Sequence, residues 1–584
     1  MTMKSHLFSR LALLAAGFTA CAPGLAHAQT MEYGDVSGGA GMDSGSSGGD
    51  AESGADDDGA AAVPLAKHGG RIKVTPYIEA GIGALAELSP GNDVLTYSTL
   101  AAGVDVAVDG RNTQGALSAR YERRFGWGKN SSDGDSVSGI ARVSTAIVPR
   151  TLTIEAGALA SRMSVENNGS TVSGLEFGDS VTQVYSLYAG PSLSTRVGDV
   201  AVSANYRIGY NRVESPNSLS IAPGQPLVDV FDDSVVHSAQ VHAGTRAGEL
   251  LPVGIGVGAG WNREDVSNLD QRVDDKHLRA DITIPIGNDV ALLGGVGWEK
   301  VEISSRDAVR DPVTGLGVIG ADGRYVTDRS GPRVLAYESE GLIWDAGVLW
   351  RPSRRTALEA HVGKRYGSTS YYGSFAYAPS ARTSINVSVY DNVTGFGGML
   401  NNALANLPTQ FEAVRNPLNG DLGGCVAAQG TVTSGQSNCY AGALGSVRSS
   451  VFRGRGVMAS INVSGDRLQY GAGAGYDRRK FMAAPGTVLA AANGVIDENI
   501  WVAAYLNGRI DRESSFGTNI RANWYQSGDA LTGDSNSIGA TAAYYRSITN
   551  HLTATAAVGL DGVTREDLVD IWSTQAMAGV RYSF

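Results

Sequence analysis

The side chains with the most reactive chemistry are spread thinly along this chain. Beyond residue 28 the histidines are His68, His237, His242, His277, His361 and His551, and none stands in a motif that would set a serine beside it for nucleophilic hydrolysis. Two glycine runs, Gly471-Ala472-Gly473-Ala474-Gly475 and Gly254-Ile255-Gly256-Val257-Gly258, repeat with the period of a strand, and no helix follows either, so they lack the context of a phosphate-cradling loop. Asp133-Gly134-Asp135 and the acids Asp307, Asp311, Asp322 and Asp328 carry oxygens that calcium would accept loosely, although acidic loops are ordinarily just solvated. Cys425 and Cys439 are the cysteines left after Cys21. In an oxidising compartment they are expected to form a disulfide, and no histidine lies nearby to complete a metal site. On these grounds the chain is read as no enzyme, with no cofactor and no metal.

Charge at alternate positions is far more abundant. Arg120, Arg124, Arg142, Arg207, Arg279, Asp281, Glu359, Arg365, Arg509 and Arg521 all fall on the polar face of alternating segments, as do Glu122, Glu155, Asp345, His361, Asp511 and Arg581. Lining a narrow channel, such a set would select ions or solutes by its field, and its excess of arginine would make that lumen locally positive. Filling a closed interior, the same residues would serve as ion pairs, which is the more ordinary use.

The elements that position these charges are strands. In Phe516–Tyr525 the apolar face is Phe516, Thr518, Ile520, Ala522 and Trp524, with Gly517, Asn519, Arg521, Asn523 and Tyr525 opposite. In His277–Ile286 the apolar set is Leu278, Ala280, Ile282, Ile284 and Ile286. Segments of this kind recur from 71–84 through 341–351 to 575–584, and their count is roughly 22, each about as long as a tilted strand needs to cross a bilayer. Connections alternate in length. Val148-Pro149-Arg150, Gly287-Asn288-Asp289, Gly465-Asp466 and Thr549-Asn550 are tight, whereas 305–340 and 392–453 are long. Short turns on one side and long loops on the other are what an outer-membrane barrel has, with both termini on the short-turn side. The 77 glycines, 18% charged residues and mean hydropathy of -0.09 agree, because alternating lipid-facing and water-facing residues cancel in any average. Trp127, Trp261, Trp350, Trp524 and Tyr582 fall near strand ends, as interfacial aromatics do. The expected fold class is thus all-β, a transmembrane antiparallel barrel with a short helix in a long outer loop.

At the N-terminus, Lys4 and Arg10 precede the apolar run Leu11–Ala20, and Ala26-His27-Ala28 supplies a small-residue cleavage site, so residues 1–28 are read as a secretory signal peptide. Phe18-Thr19-Ala20-Cys21 offers a competing lipid-modification site at Cys21. Residues 29–70 form an acidic, Gly/Ser/Asp-rich segment without large apolar side chains, expected to be a disordered periplasmic tail open to a periplasmic partner. Its eight acids stand against Lys67, a net of -7. With Lys4 and Arg10 set aside, residues 71–584 carry -6 of the chain's -11, which argues against a nucleic-acid partner. A tail of this length leaves no room for the plug domain with which TonB-dependent receptors, as a family, precede their first strand.

The loop 392–453 is the unusual connection. Met399, Leu400, Ala403, Leu404 and Leu407 recur at helical spacing, Pro408 ends the run, and Phe411 with Val414 suggests a second short turn. An amphipathic helix needs an apolar surface to cover. This one is expected to fold inward and narrow the barrel.

Two resemblances add to this. The final segment, ending in Tyr582-Ser583-Phe584, resembles the signal read by the barrel-assembly machinery. The stretch Val389-Tyr390-Asp391-Asn392-Val393-Thr394-Gly395-Phe396-Gly397 resembles outer-membrane barrels of exopolysaccharide and PEP-CTERM export systems. That resemblance implies a Gram-negative outer-membrane protein, a lipid environment and a role as channel or export conduit, and assigns no site residues. A closed structural or adhesive barrel and, more remotely, an outer-membrane hydrolase are the alternatives.

Overall fold

The computed structural model describes residues 71–584 except 129–132, 167–168, 172–180, 215–218, 221–226, 229–232, 381, 429–439, 441–450, 529–532 and 567–568. The expected signal peptide, Cys21 and the acidic tail lie outside the described residues, as does Cys439.

Twenty-two antiparallel strands close into one barrel. In chain order they are Arg71–Ser89, Val94–Asp109, Thr113–Trp127, Gly134–Val148, Leu152–Glu166, Val181–Val197, Val200–Glu214, Asp233–Thr245, Gly254–Val266, Gln271–Pro285, Val290–Ser305, Val334–Ser353, Thr356–Arg365, Ser368–Ser380, Thr383–Thr394, Val451–Ser464, Leu468–Met482, Ile496–Arg509, Ser514–Gln526, Ser535–Ser547, Leu552–Arg565 and Ile571–Ser583. Each pairs with its neighbours in sequence. The first and last strands close the ring, Tyr77 lying opposite Ser583 and Ala84 opposite Ala576. Closure leaves no strand edge, and so no backbone amide is left unpaired in hydrocarbon.

The pleat then sorts side chains to two environments. On Ser514–Gln526, Ile520 is 57% exposed and Trp524 45%, while Tyr525, on the other face, is 2% exposed. The same alternation exposes Leu278, Ile282, Ile284 and Ile286 and buries His277 and Arg279. A continuous belt of exposed aliphatic and aromatic residues around a barrel with a polar inner face is stable only in lipid. The protein is therefore an outer-membrane barrel of the Gram-negative kind. Among the described residues no helix is long and apolar enough to cross a membrane.

Strands run up to 20 residues, several beyond the segments read from alternation, because the ladder continues past the hydrocarbon layer where periodicity fades: 334–353 replaces the expected 341–351, and 71–89 replaces 71–84. Tight turns sit at the end holding both chain ends, which defines the periplasmic side. The long connections 306–333, 395–450 and 483–495 lie at the other. One outer turn is short all the same: Tyr366 and Gly367 take positive φ, 51° and 68°, to reverse the chain in two residues.

The long loop begins at 395 and ends at 450, not 392 and 453, since pairing of Thr394 with Phe452 carries the flanking strands further out. Its helix, α1, spans Phe396–Ala405. The expected second helical turn is instead a hairpin, Phe411–Arg415 paired with Leu422–Ala428, because Phe411 and Val414 belong to an extended run whose cross-strand partners are Ala428 and Val426 and their neighbours.

Candidate functional site

The described part of the loop, 395–428 and Tyr440, lies inside the barrel, and the inner wall is shaped to receive it. Most inward positions are polar or small, but Ile140, Leu159, Val184 and Val213, each on a strand between Gly134 and Glu214, turn large aliphatic groups inward and are at most 3% exposed. With Tyr188 and Val266 they form one apolar cluster with Phe396, Leu400, Leu404, Leu407, Phe411, Leu422, Val426 and Tyr440 of the loop. Of the residues read at helical spacing, Leu400, Leu404 and Leu407 are fully buried there. Met399 and Ala403 pack at its margin.

Polar contacts fix the loop's angle. Glu264, buried near the outer end of Gly254–Val266, accepts the backbone N–H groups of Gly395 at 2.9 Å, Gly397 at 3.0 Å and Gly398 at 3.0 Å. A carboxylate here answers the unpaired amides and the positive dipole end of α1 together. The approach requires glycine: a Cβ on Gly397 would overlap the Ser234 hydroxyl and lie 2.8 Å from Glu264 Oε1. One turn on, Asn401 donates to Asn211 at 2.6 Å and Asn402 accepts from Arg207.

Beyond α1 the chain descends. Gln410 donates to Asp109 at 3.2 Å, at the periplasmic end of Val94–Asp109. The hairpin tip is held by Arg162, bidentate to Asp421 at 3.0 and 2.8 Å, and by Arg120, which donates to the Asn419 carbonyl at 3.1 Å. Arg415 reaches the hydroxyls of Ser118 at 3.0 Å and Ser138 at 2.6 Å. Leu418 extends to Leu85, Ala543 and Ala557 at the barrel seam. Cys425 is disulfide-bonded. The loop thus contacts the wall from its outer to its inner mouth.

Opposite, the wall mixes small polar side chains with a few large ones. Ser460, Asn462, Gly473, Ala503 and Asn519, together with Tyr505 and Arg521, face the hairpin residues Val414, Asn416 and Asp421 across a narrow cavity of about 60 Å³.

The remaining lumen candidates are engaged in pairs. Arg120 binds Glu79 at 2.9 Å and Glu122 at 2.6 Å, and Arg124 binds Glu122 at 3.3 Å. Arg142 meets Glu155 at 3.1 Å. Arg279 is bidentate to Asp345, both bonds 2.8 Å, and lies 3.4 Å from Asp281. His361 joins Asp345 at 2.9 Å to Glu359 at 3.0 Å. Arg365 pairs with Glu299 and, at 2.9 Å, with Asp275, and Arg521 pairs with Asp561. Arg509 sits exposed at the periplasmic mouth, bound to the Asp466 carbonyl at 2.7 Å, and lines the rim rather than the lumen. Neighbouring acids so offset at short range the positive field expected from arginine count alone.

The other sequence candidates have structural partners. His237 meets Tyr206 at 2.8 Å, His242 meets Asp281 at 3.0 Å, and His551 meets the Ser583 carbonyl at 2.8 Å. Asp311 takes the amides of Thr314 and Val313, which holds its carboxyl below the usual carboxylate range, and Asp328 is lowered likewise by the Ser330 hydroxyl and the Ser330 and Gly331 amides. Asp307 pairs with Arg310 at 2.8 Å and receives the Val488 amide, joining two outer loops. Tyr582 and Phe584 lie on the lipid face with ring centroids 5.0 Å apart.

Glu264, Arg162, Asn211 and Asp421 were not singled out by sequence. Glu264 lies 131 residues from the first amide it binds, and Arg162 lies 259 from Asp421, so no local pattern announces either pair.

No protein-family model and no curated protein matches the chain. Among solved structures, it is similar to the FrpB iron transporter from Neisseria meningitidis (TM-score 0.42, 11% identity, covering 87% of this chain and 81% of that one). It is also similar to the copper transporter OprC (0.38, 11%, 88% and 81%) and to the ferric-catecholate import receptor Fiu from E. coli K12 (0.38, 11%, 87% and 81%). At such scores these likenesses carry no argument about what this chain moves.

Proposed function

We propose that the protein is an outer-membrane channel in which the loop 395–450 narrows the lumen and leaves a crescent along the strands Val451–Gln526 as the path for a hydrophilic solute. The observation that carries this reading is the division of the inner wall, apolar and ion-paired where the loop seats, and leaving a narrow gap to the hairpin beside Ser460, Asn462, Gly473, Ala503 and Asn519. Side-chain volume sets pore width, and width with lining charge sets what passes.

Export of a surface polysaccharide is the narrower form of this proposal, and it rests on the resemblance at Val389–Gly397. Part of that stretch, Gly395 and Gly397, cages Glu264, which gives it a structural use that any barrel with such a loop would share. The terminal Tyr582 and Phe584 fit a role as the assembly signal, and the acidic tail fits a periplasmic contact.

Planar-bilayer recording on the refolded protein tests the channel. Wild type should give a small steady conductance, and replacement of 395–450 by a short Gly/Ser linker should raise it severalfold. Silence in both forms would overturn the proposal and favour the closed structural barrel, a reading that the many buried ion pairs also suit.

A further inference from the structure

The outer wall has its own charged feature, on the face that meets lipid. Arg453 lies directly opposite Lys480, and Arg455 directly opposite Arg478, on the adjacent strands Val451–Ser464 and Leu468–Met482. All four point outward: Val457 and Ile461, on the same face as Arg453 and Arg455, are exposed members of the lipid belt, and Tyr470 is exposed on the face of Arg478 and Lys480. The block therefore sits immediately above the apolar belt on the outer side, at the depth of lipid headgroups.

Like charges placed directly across a ladder destabilise it, and the local acids do not cancel these. Asp391 takes Arg453 at 2.7 Å and Arg455 at 3.2 Å, and Glu498 takes Arg478 at 3.4 Å, leaving two positive charges in excess. Lys480 is exposed. Ser368, the four cations and Ile496 line a cavity of about 230 Å³ between them. Tyr371, exposed on the outer face, lies under the Arg455 guanidinium at 5.7 Å. Elsewhere on the outer part of the wall the cations stand among acids, as Lys300 does among Glu302, Glu338 and Glu340. A cavity walled by four cations, open at the headgroup level and standing above the apolar belt of Val457, Ile461 and Tyr470, matches an anionic head joined to acyl chains.

We propose that Arg453, Arg455, Arg478 and Lys480 form a binding site for the phosphorylated headgroup of an outer-leaflet lipid. Arginine forks take phosphate oxygens in pairs while lysine supplies a point charge, and the acyl chains lie along the belt below.

The test uses full-length protein, delipidated in detergent and incubated with bisphosphorylated lipid A, with its dephosphorylated form, or with inorganic phosphate, and native mass spectrometry counts the molecules retained. Wild type should hold the phosphorylated lipid and not the dephosphorylated one. Arg478→Gln with Lys480→Gln should lower retention at least about tenfold, the loss of roughly one charge-assisted pair or more. Lys300→Gln should change nothing. Should the double variant fail to give the heat-modifiable gel band of a folded barrel, Lys480→Gln alone serves, with a smaller loss expected. Equal retention by wild type and variant, equal retention of both lipid forms, or displacement by millimolar inorganic phosphate would each overturn the proposal, the last by marking a site for a soluble anion.

Discussion

The inner wall of this barrel is made in two ways. Between Thr113 and Val266 it carries aliphatic side chains and arginines that reach the inserted loop: Ile140, Leu159, Val184 and Val213 against α1, and Arg120, Arg162 and Arg207 against its turns and amides. Between Val451 and Gln526 it carries Ser460, Asn462, Gly473, Ala503 and Asn519 beside the larger Tyr505 and Arg521, and these line a gap between wall and hairpin. Both halves obey the same pleat and face the same lipid. The difference lies in where aliphatic side chains and arginines are turned inward toward the loop, and that decides where the loop rests and where a gap remains.

The strongest way to break this contrast is to make the seat unable to hold the loop. Leu400 and Leu404 are fully buried between α1 and the wall. Truncating such a leucine costs about 2–5 kcal/mol, and replacing it by a carboxylate adds an unpaired charge. The double substitution Leu400→Asp, Leu404→Asp is therefore expected to release the loop, raise bilayer conductance toward that of the deletion and expose Arg415 to trypsin, while the barrel stays folded by its own ladder. A fully resistant loop with unchanged conductance would show that the apolar cluster is not what seats it.

The opposite half can be tested by adding volume. Ala503 pairs with Gly473 across the ladder on the inward face and lines the gap to the hairpin. Ala503→Trp should lower conductance at least about twofold by narrowing the crescent, with trypsin resistance of the loop unchanged. The same substitution on the seated side would meet the loop and disturb it instead. If Ala503→Trp leaves conductance untouched, ions take another path.

Legibility in the sequence followed the same division. The strands, their number and the two faces of each could be read because lipid outside and water inside impose a period of two on every crossing segment. Even α1 was visible, since Leu400, Leu404 and Leu407 keep helical spacing. What could not be read was the inward apolar patch. Ile140 and Leu159 are single apolar residues on otherwise polar inward faces, Ile140 between Ser138 and Arg142 and Leu159 on the face of Glu155, and one such residue gives no sign of which neighbour it will meet. Phe411 and Val414 had the composition of either a turn or a strand, and only pairing with Val426 and Ala428 decided it. Glu264 looked like one acid in the charged run Arg263-Glu264-Asp265; its partners are backbone amides, which no sequence displays.

Glu264 supplies the finest test, because Glu264→Gln changes almost no volume. The carboxylate offers two acceptor oxygens, Oε1 to Gly397 and Oε2 to Gly395 and Gly398. A glutamine keeps one and turns an NH2 toward at least one backbone N–H, donor against donor. It also removes the negative charge that answers the helix dipole. The expected cost is about 1.5–3 kcal/mol, the range for a hydrogen bond to a charged group. That cost falls on loop docking rather than on the barrel, whose ladder does not pass through Glu264's side chain. Cleavage after Arg415 should therefore begin at a lower temperature in the variant, with the melting of the barrel itself, followed by heat-modified gel migration, left where it was. If both transitions move together by the same amount, loop and wall are one cooperative unit, and the contrast between a seat and a separable occupant fails.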